Sequence, residues 1–139
     1  MSYATQADME AAFGKGQLRE LADRDGDGVA DAAVVAKALA DADAWIDSYL
    51  VGRYTLPLAV TPPLLNRLAG FLGFYLLHPA AVPEDVRQRY LDALAQLRDL
   101  GCGKAQLPDT VGTPTPQTGG LPKVAAGDPV FSSDTLAGF

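Results

Sequence analysis

The aspartates between residues 23 and 31 have a spacing that could hold a divalent cation. Four carboxylates occupy positions 1, 3, 5 and 9 of this segment: Asp23, Asp25, Asp27 and Asp31. With Gly26 at position 6, they match the start of an EF-hand calcium loop, in which alternate residues turn inward. Position 12 is Val34, which lacks the usual bidentate carboxylate, so waters or another chain would have to complete the shell. The alternative is that these acids cap the next helix and solubilise a turn.

The other reactive side chains do not form a catalytic set. His78 precedes Pro79 at a predicted helix end, and Cys102 lies between two glycines. One His and one Cys cannot build a zinc site of the usual composition. The four serines do not lie in a strand–turn–helix nucleophile setting. We therefore expect a protein that is not an enzyme and requires no cofactor.

Charge and hydropathy exclude two classes of partner. The net charge is −6 with no basic stripe, which disfavours wrapping of nucleic acid, because phosphate neutralisation supplies most of that affinity. The first residues lack the basic and apolar regions of a signal peptide. The longest apolar stretch, 64–77, is too short to span a bilayer. We expect a cytoplasmic protein that does not bind membranes.

Composition divides the 139 residues into a body and a tail. Residues 104–139 hold five of the ten prolines and five of the fourteen glycines. We assign 1–103 as a helical domain and 104–139 as an extended Gly/Pro-rich tail. The tail ends with four apolar residues that could dock on a partner: Val130, Phe131, Leu136 and Phe139. The alternative is a frayed end with chance phenylalanines.

Apolar residues at spacings of three and four predict an all-α body, a small helical bundle. Its three main helices are predicted over 31–53, over 64–78 and from Pro83 to an end at Gly101 and Gly103, after short helices over 6–13 and 17–22. Thr5 and Asp8 predict a capping box at the first short helix. Trp45 and Leu91 are expected on buried stripes, and Gly70 and Gly73 are expected to admit a neighbouring helix. Arg53, at the end of the long helix, is a candidate for a contact between subunits or an ordinary helix end.

The order of several motifs resembles a known family. The most specific block is Tyr49-Leu-Val-Gly-Arg-Tyr-Thr-Leu-Pro-Leu58. It is accompanied by Tyr3-Ala-Thr-Gln-Ala-Asp8, Leu21-Ala-Asp-Arg-Asp-Gly-Asp-Gly28, Ala36-Lys-Ala-Leu-Ala-Asp-Ala42, Pro62-Pro-Leu-Leu, Tyr75-Leu-Leu-His78 and Arg87-Gln-Arg-Tyr90. Over residues 3–103 this series is similar to the small Mu-like phage and prophage virion family of head–tail joining proteins.

The resemblance implies a helical connector, or adaptor, subunit at the head–tail junction of a tailed-phage virion, made in the host cytoplasm. Such proteins form a homo-oligomeric ring, usually of twelve, beneath the portal protein, and bind a tail terminator or tail-completion protein below. Members of the wider group bind the portal through an extended arm or C-terminal peptide. DNA would only pass through the channel, and an acidic surface facing it would repel phosphate. The rival function is a calcium-responsive protein-binding module that uses the acidic loop over 23–31.

Overall fold

The structure, a computed structural model, describes residues 2–108, and every regular element in that range is a helix. The helices are α1 (Gln6–Phe13), α2 (Lys15–Ala22), α3 (Ala32–Leu50), α4 (Pro63–Leu77) and α5 (Glu84–Cys102). The all-α prediction is therefore confirmed. None of these helices is both long enough and apolar enough to cross a membrane. The four predicted tail anchors, Val130, Phe131, Leu136 and Phe139, lie outside the described residues.

The first two helices meet at a single glycine. The predicted capping box is present, because Thr5 Oγ1 accepts a hydrogen bond from the Asp8 amide and the Asp8 carboxylate accepts one from the Thr5 amide. Gly14, with φ of +91°, ends α1 and precedes α2 directly. The second helix consequently begins at Lys15 rather than at the predicted Gln17, and Gly16 lies inside it.

Helices α3, α4 and α5 pack against one another as a three-helix bundle, and α1 and α2 contact both α3 and α4. A second predicted boundary was also wrong. The long helix stops at Leu50 rather than at residue 53, since residues 51–53 form a turn. The last helix continues through Gly101 and Cys102, and the predicted end at Gly103 is confirmed, since the φ of +85° at this residue is the left-handed conformation typical of a helix C-terminus.

The predicted core stripes were right except at two positions. Trp45 and Leu91 are each 44% exposed. On α3 the helical period places Ile46, not Trp45, inward, in register with Ala42 and Leu50. On α5 Ala93 takes the inward position between Val86 and Leu97. Both errors have the same cause, because a side chain beside a buried stripe cannot be told from a member of it by apolar character alone.

Helix α4 admits its neighbours at Gly73. A Cβ built there would lie 3.1 Å from Leu39 Cδ2 and 3.6 Å from Met9 Cε, so the missing side chain lets α3 and α1 approach closely. The prediction for Gly73 is confirmed. Gly70 has more room, since a Cβ there would meet only Phe13, at 3.9 Å. Phe13 also stacks on Phe74 with ring centroids 4.0 Å apart, which fixes the end of α1 on α4.

Candidate functional site

The acidic loop between α2 and α3 brings three of its four predicted ligands together. One carboxylate oxygen each from Asp23, Asp25 and Asp27 lies within 4.8 Å of the other two. Gly26 and Gly28, with φ of +78° and +83°, make the turns that allow this convergence. Clustered carboxylate oxygens are the ligands that calcium and magnesium prefer. Three such ligands fall short of the six to eight oxygens that calcium takes, so waters or another chain would supply the rest.

The fourth predicted ligand, Asp31, has a different position. Its Oδ2 accepts a 2.9 Å hydrogen bond from the Arg24 amide, and its own amide donates to the Ala22 carbonyl. Asp31 thus closes the base of the loop and precedes the first residue of α3. Its side chain does not cap that helix, whereas the sequence suggested that it would.

The loop carboxylates already accept hydrogen bonds from the loop backbone. Asp23 accepts from the Gly26 and Gly28 amides at 2.7 and 2.9 Å. Desolvation alone would raise the pKa of Asp23, but these hydrogen bonds outweigh it, so the pKa is lowered. Although the Asp27 amide stabilises the Asp25 carboxylate, desolvation and the interaction with Asp23 raise the pKa of Asp25. The loop backbone is therefore held in place by hydrogen bonds to its own carboxylates.

A second polar site, which the sequence did not reveal, lies where the N-terminal segment crosses α3. The Tyr3 amide donates a 3.0 Å hydrogen bond to Asp43, and the Tyr3 hydroxyl donates to Asp47. Burial raises the pKa of Asp43, and burial with the bond to Asp47 raises the pKa of Tyr3. Asn66 Nδ2 donates to the Tyr3 carbonyl at 3.0 Å, so α4 holds the same segment. The sequence feature that could have indicated this site is the pair of aspartates four residues apart, Asp43 and Asp47, on the alanine-rich α3.

Beside this site is a surface depression of about 690 Å³, which we call the alanine groove. The buried Val35 and Leu39 line it, beside a row of exposed α3 side chains at a spacing of four residues: Ala32, Ala36, Ala40 and Ala44. Asp43 and Asp47 line it as well, and Ser2, Ala4 and Thr5 contribute from the N-terminal segment. The groove is therefore lined mainly by apolar α3 side chains and is acidic toward the C-terminal end of α3.

A depression of similar size, about 700 Å³, lies along α4 and α5. We call it the arginine cleft. The guanidinium carbons of Arg67 and Arg89 lie 5.4 and 6.0 Å from the centroid of the Phe71 ring, which is cation–π distance. Asp92 and Gln96 also line the cleft. The sequence did not predict this arrangement, because it depends on how α4 and α5 pack.

Arg53 is half-buried inside its own subunit. It follows α3, and its guanidinium lies against Gly103 at the end of α5, so that a Cβ on Gly103 would overlap it. The hydroxyl of its neighbour Tyr54 accepts a 3.0 Å hydrogen bond from the Leu107 amide. These two residues therefore fix the path of the chain as it leaves α5. A role for Arg53 between subunits stays a prediction.

The lone histidine and cysteine both contact carbonyls near helix ends. His78 Nδ1 lies 2.8 Å from the Phe74 carbonyl oxygen, and the two rings meet edge to face. Cys102 is exposed, and its thiol lies 3.6 Å from the Asp99 carbonyl oxygen. Such contacts are typical of residues that end helices.

Comparison with known proteins gives three matches. A family model described as bacteriophage Mu, Gp36 matches residues 3–126. Gene product J of Escherichia phage Mu is 34% identical over 134 residues, which are 95% of this chain and 95% of that protein. The Mu-like prophage FluMu protein gp36 of Haemophilus influenzae is 39% identical over 77 residues, so this match spans 55% of each chain.

Proposed function

The chain belongs to the bacteriophage Mu Gp36 family, and from that premise we propose that it is a structural virion protein, a head–tail connector subunit. In this proposal the subunits form a ring, of twelve by analogy with other connectors, between the portal protein and a tail terminator or tail-completion protein. The protein is made in the host cytoplasm and acts at the head–tail junction. It performs no catalysis and requires no cofactor.

The observation that carries the proposal is the exposure of Trp45. This indole is 44% exposed, whereas the adjacent Ile46 is fully buried. Val51, in the turn after α3, is 67% exposed. Tryptophan is enriched among the residues that contribute most to protein–protein binding, because a partner removes a large apolar ring from water. The C-terminal end of α3 is thus a surface that a partner would complete.

The tail supplies the contact with the portal in this proposal. Val130, Phe131, Leu136 and Phe139 are the apolar side chains that would enter pockets on the portal. A polar spacer joins them to the helical body, which raises their effective concentration at the partner once the body is in place. The sequence of the tail supports this assignment.

DNA in this proposal passes through the ring without being bound. The protein carries a net charge of −6. Acidic residues facing the channel would repel phosphate, and the genome would slide past them.

Capture of the portal tests the proposal. Tagged full-length chain, the chain ending at residue 127 and a Phe131→Ala/Phe139→Ala variant are each mixed with purified portal and tail-completion proteins. We expect the full-length chain to capture the portal and both altered forms to lose it. The matched control, Ser132→Ala/Ser133→Ala, changes two residues of the same segment and should capture normally. Failure of the full-length chain to bind either protein would refute the connector assignment.

The rival function, a calcium-responsive binding module, is favoured by the convergence of Asp23, Asp25 and Asp27. Such a module would raise its melting temperature with micromolar calcium and bind its partner reversibly. A connector would bind the portal in the presence of a chelator. The same capture experiment with and without calcium therefore separates the two functions.

A further inference from the structure

We propose that neighbouring copies of this chain join head to tail, with the arginine cleft of one copy seated on the alanine groove of the next. The inference rests on the proposed function, since a ring requires contacts between copies. Contacts that close a ring are heterologous, so each subunit must present two different and complementary surfaces. The groove and the cleft are such a pair.

The acidic end of the groove is formed by two α3 carboxylates. Asp43 and Asp47 lie one helical turn apart, at a spacing where like charges repel. Within residues 2–108, neither has a basic side chain within 4.0 Å. The lysine on the same helix, Lys37, is paired with Asp41 at 3.0 Å and lines a different depression.

The cleft lacks the anion that its arginines would attract. Arg67 and Arg89 are both exposed, and no carboxylate of the described chain lies within 4.0 Å of either guanidinium. Asp92, which also lines the cleft, instead accepts a 2.9 Å hydrogen bond from Gln88. The Phe71 ring between the arginines offers an apolar surface to whatever enters.

The two surfaces are separate, since no residue lines both. One copy can therefore use both surfaces at once, as every member of a ring must. The alanine row lets a neighbouring helix approach closely, so α4 or α5 of the next copy can cover it. Arginine suits such a contact, because its planar guanidinium stacks on an aromatic ring while it donates to a carboxylate.

Disulfide trapping tests the contact. The full-length chain with Cys102→Ser carries Ala40→Cys in the groove and Gln96→Cys at the cleft; both positions are exposed. Under mild oxidation at high protein concentration we expect a ladder of dimers and larger species on a non-reducing gel. A matched pair, Ala40→Cys with Arg98→Cys, moves the second thiol to an exposed α5 position outside the cleft and should give little ladder. Equal ladders from the two pairs would overturn the proposal.

A charge exchange in the same trapping background identifies the partner. Arg67→Glu/Arg89→Glu makes the cleft acidic, and Ala36→Arg/Ala44→Arg adds two cations to the groove without touching the bonds of Tyr3. We expect each variant alone to form at least about tenfold less ladder, and an equal mixture to recover it. The control Arg87→Glu/Arg98→Glu makes the same charge change outside the cleft and should not alter the ladder.

Recovery in the mixture supports contact between copies, whereas loss without recovery means that another occupant fills the cleft and overturns the proposal. That occupant could be residues 109–139 or an acidic surface of a different protein, and the ladder of a chain ending at residue 108 separates these cases. Portal capture is measured independently. A ladder without portal capture would therefore refute only the connector function, and portal capture without a specific ladder would refute only this contact.

Discussion

The backbone amide of Tyr3 donates a 3.0 Å hydrogen bond to the carboxylate of Asp43, forty residues later in the chain. This bond fixes the N-terminal segment on α3 and places a carboxylate where it is only 9% exposed. The segment is consequently part of the fold, and Tyr3 itself is buried in the core. Because folding shifts the pKa of Asp43, the free energy of unfolding also depends on pH.

Replacing Asp43 with Asn should remove part of that dependence. Burial raises the pKa of Asp43 above its ordinary value of 3.8, so the folded protein binds this proton more readily than the unfolded chain. The contribution of Asp43 to stability is therefore greatest below the unfolded pKa and declines as the pH rises through the folded pKa. We expect Asp43→Asn, which keeps an oxygen acceptor for the Tyr3 amide, to gain stability relative to the parent across this rise. Urea denaturation of both proteins at a series of pH values measures the difference.

The matched control for this measurement is Asp41→Asn. Asp41 is exposed on the same helix and is paired with Lys37. Its substitution should not reproduce the pH-dependent gain. A constant difference between Asp43→Asn and the parent at all pH values would contradict the assignment.

Alanine substitutions at two adjacent residues of α3 should lower the free energy of unfolding by very different amounts. Ile46 is fully buried, and Ile46→Ala should lower the free energy of unfolding by about 2–5 kcal/mol. Trp45→Ala should cost less, about 1–2 kcal/mol, because nearly half of the residue's surface is already in water. Chemical denaturation compares the two, and the fluorescence of the single tryptophan reports its exposure directly. Similar losses at both positions would show that Trp45 is part of the core.

Replacing Gly101 with alanine should destabilise the protein. A Cβ there would lie 2.9 Å from the Tyr49 carbonyl oxygen, which belongs to the backbone of α3 and cannot move aside easily. Gly101→Ala should destabilise the protein by about 1–3 kcal/mol despite the better helix propensity of alanine. In α2, Gly16 has nothing within 4 Å of such a Cβ, so Gly16→Ala should stabilise by up to about 1 kcal/mol. Thermal denaturation of the two variants tests the opposite signs.

The hydroxyl of Tyr54 should protect the Leu107 amide from hydrogen exchange. It accepts the hydrogen bond from the buried Leu107 amide, so Tyr54→Phe leaves that donor without its partner. We expect a loss of about 1–3 kcal/mol and faster hydrogen exchange at Leu107. Tyr75→Phe, at a ring that stacks on Tyr90, is the control and should leave that amide protected. Unchanged exchange at Leu107 in Tyr54→Phe would argue against the bond.

Calcium should bind the free chain weakly. Asp23, Asp25 and Asp27 already accept hydrogen bonds from the loop, and Val34 stands at the twelfth position. We expect dissociation constants of about millimolar or weaker in a calorimetric titration. A rise in melting temperature with micromolar calcium that disappears in Asp25→Asn would instead favour the calcium-responsive module.

Local interactions were the easiest to predict from the sequence. The capping box of Thr5 and Asp8 depends on residues three apart, and the glycine turns of the acidic loop depend on their own backbone. The arginine cleft could not be predicted in the same way. Arg67 and Arg89 lie over one ring only because α4 and α5 pack in a particular register, which apolar spacing does not specify.

The acidic loop shows a second limit on what the sequence can predict. Its spacing correctly predicted that Asp23, Asp25 and Asp27 converge. It did not predict that Asp31 would instead accept from the Arg24 amide at the base of the loop. Ligand spacing alone cannot distinguish a carboxylate that faces a cation from one that organises backbone.

The attachment of the N-terminal segment has a consequence for biosynthesis. Tyr3 leaves the ribosome before its partners Asp43, Asp47 and Asn66 are translated. The segment around Tyr3 therefore stays unpacked until the first turn of α4 has emerged. A chaperone or protease that meets the nascent protein would find this segment accessible during the delay and hidden afterwards.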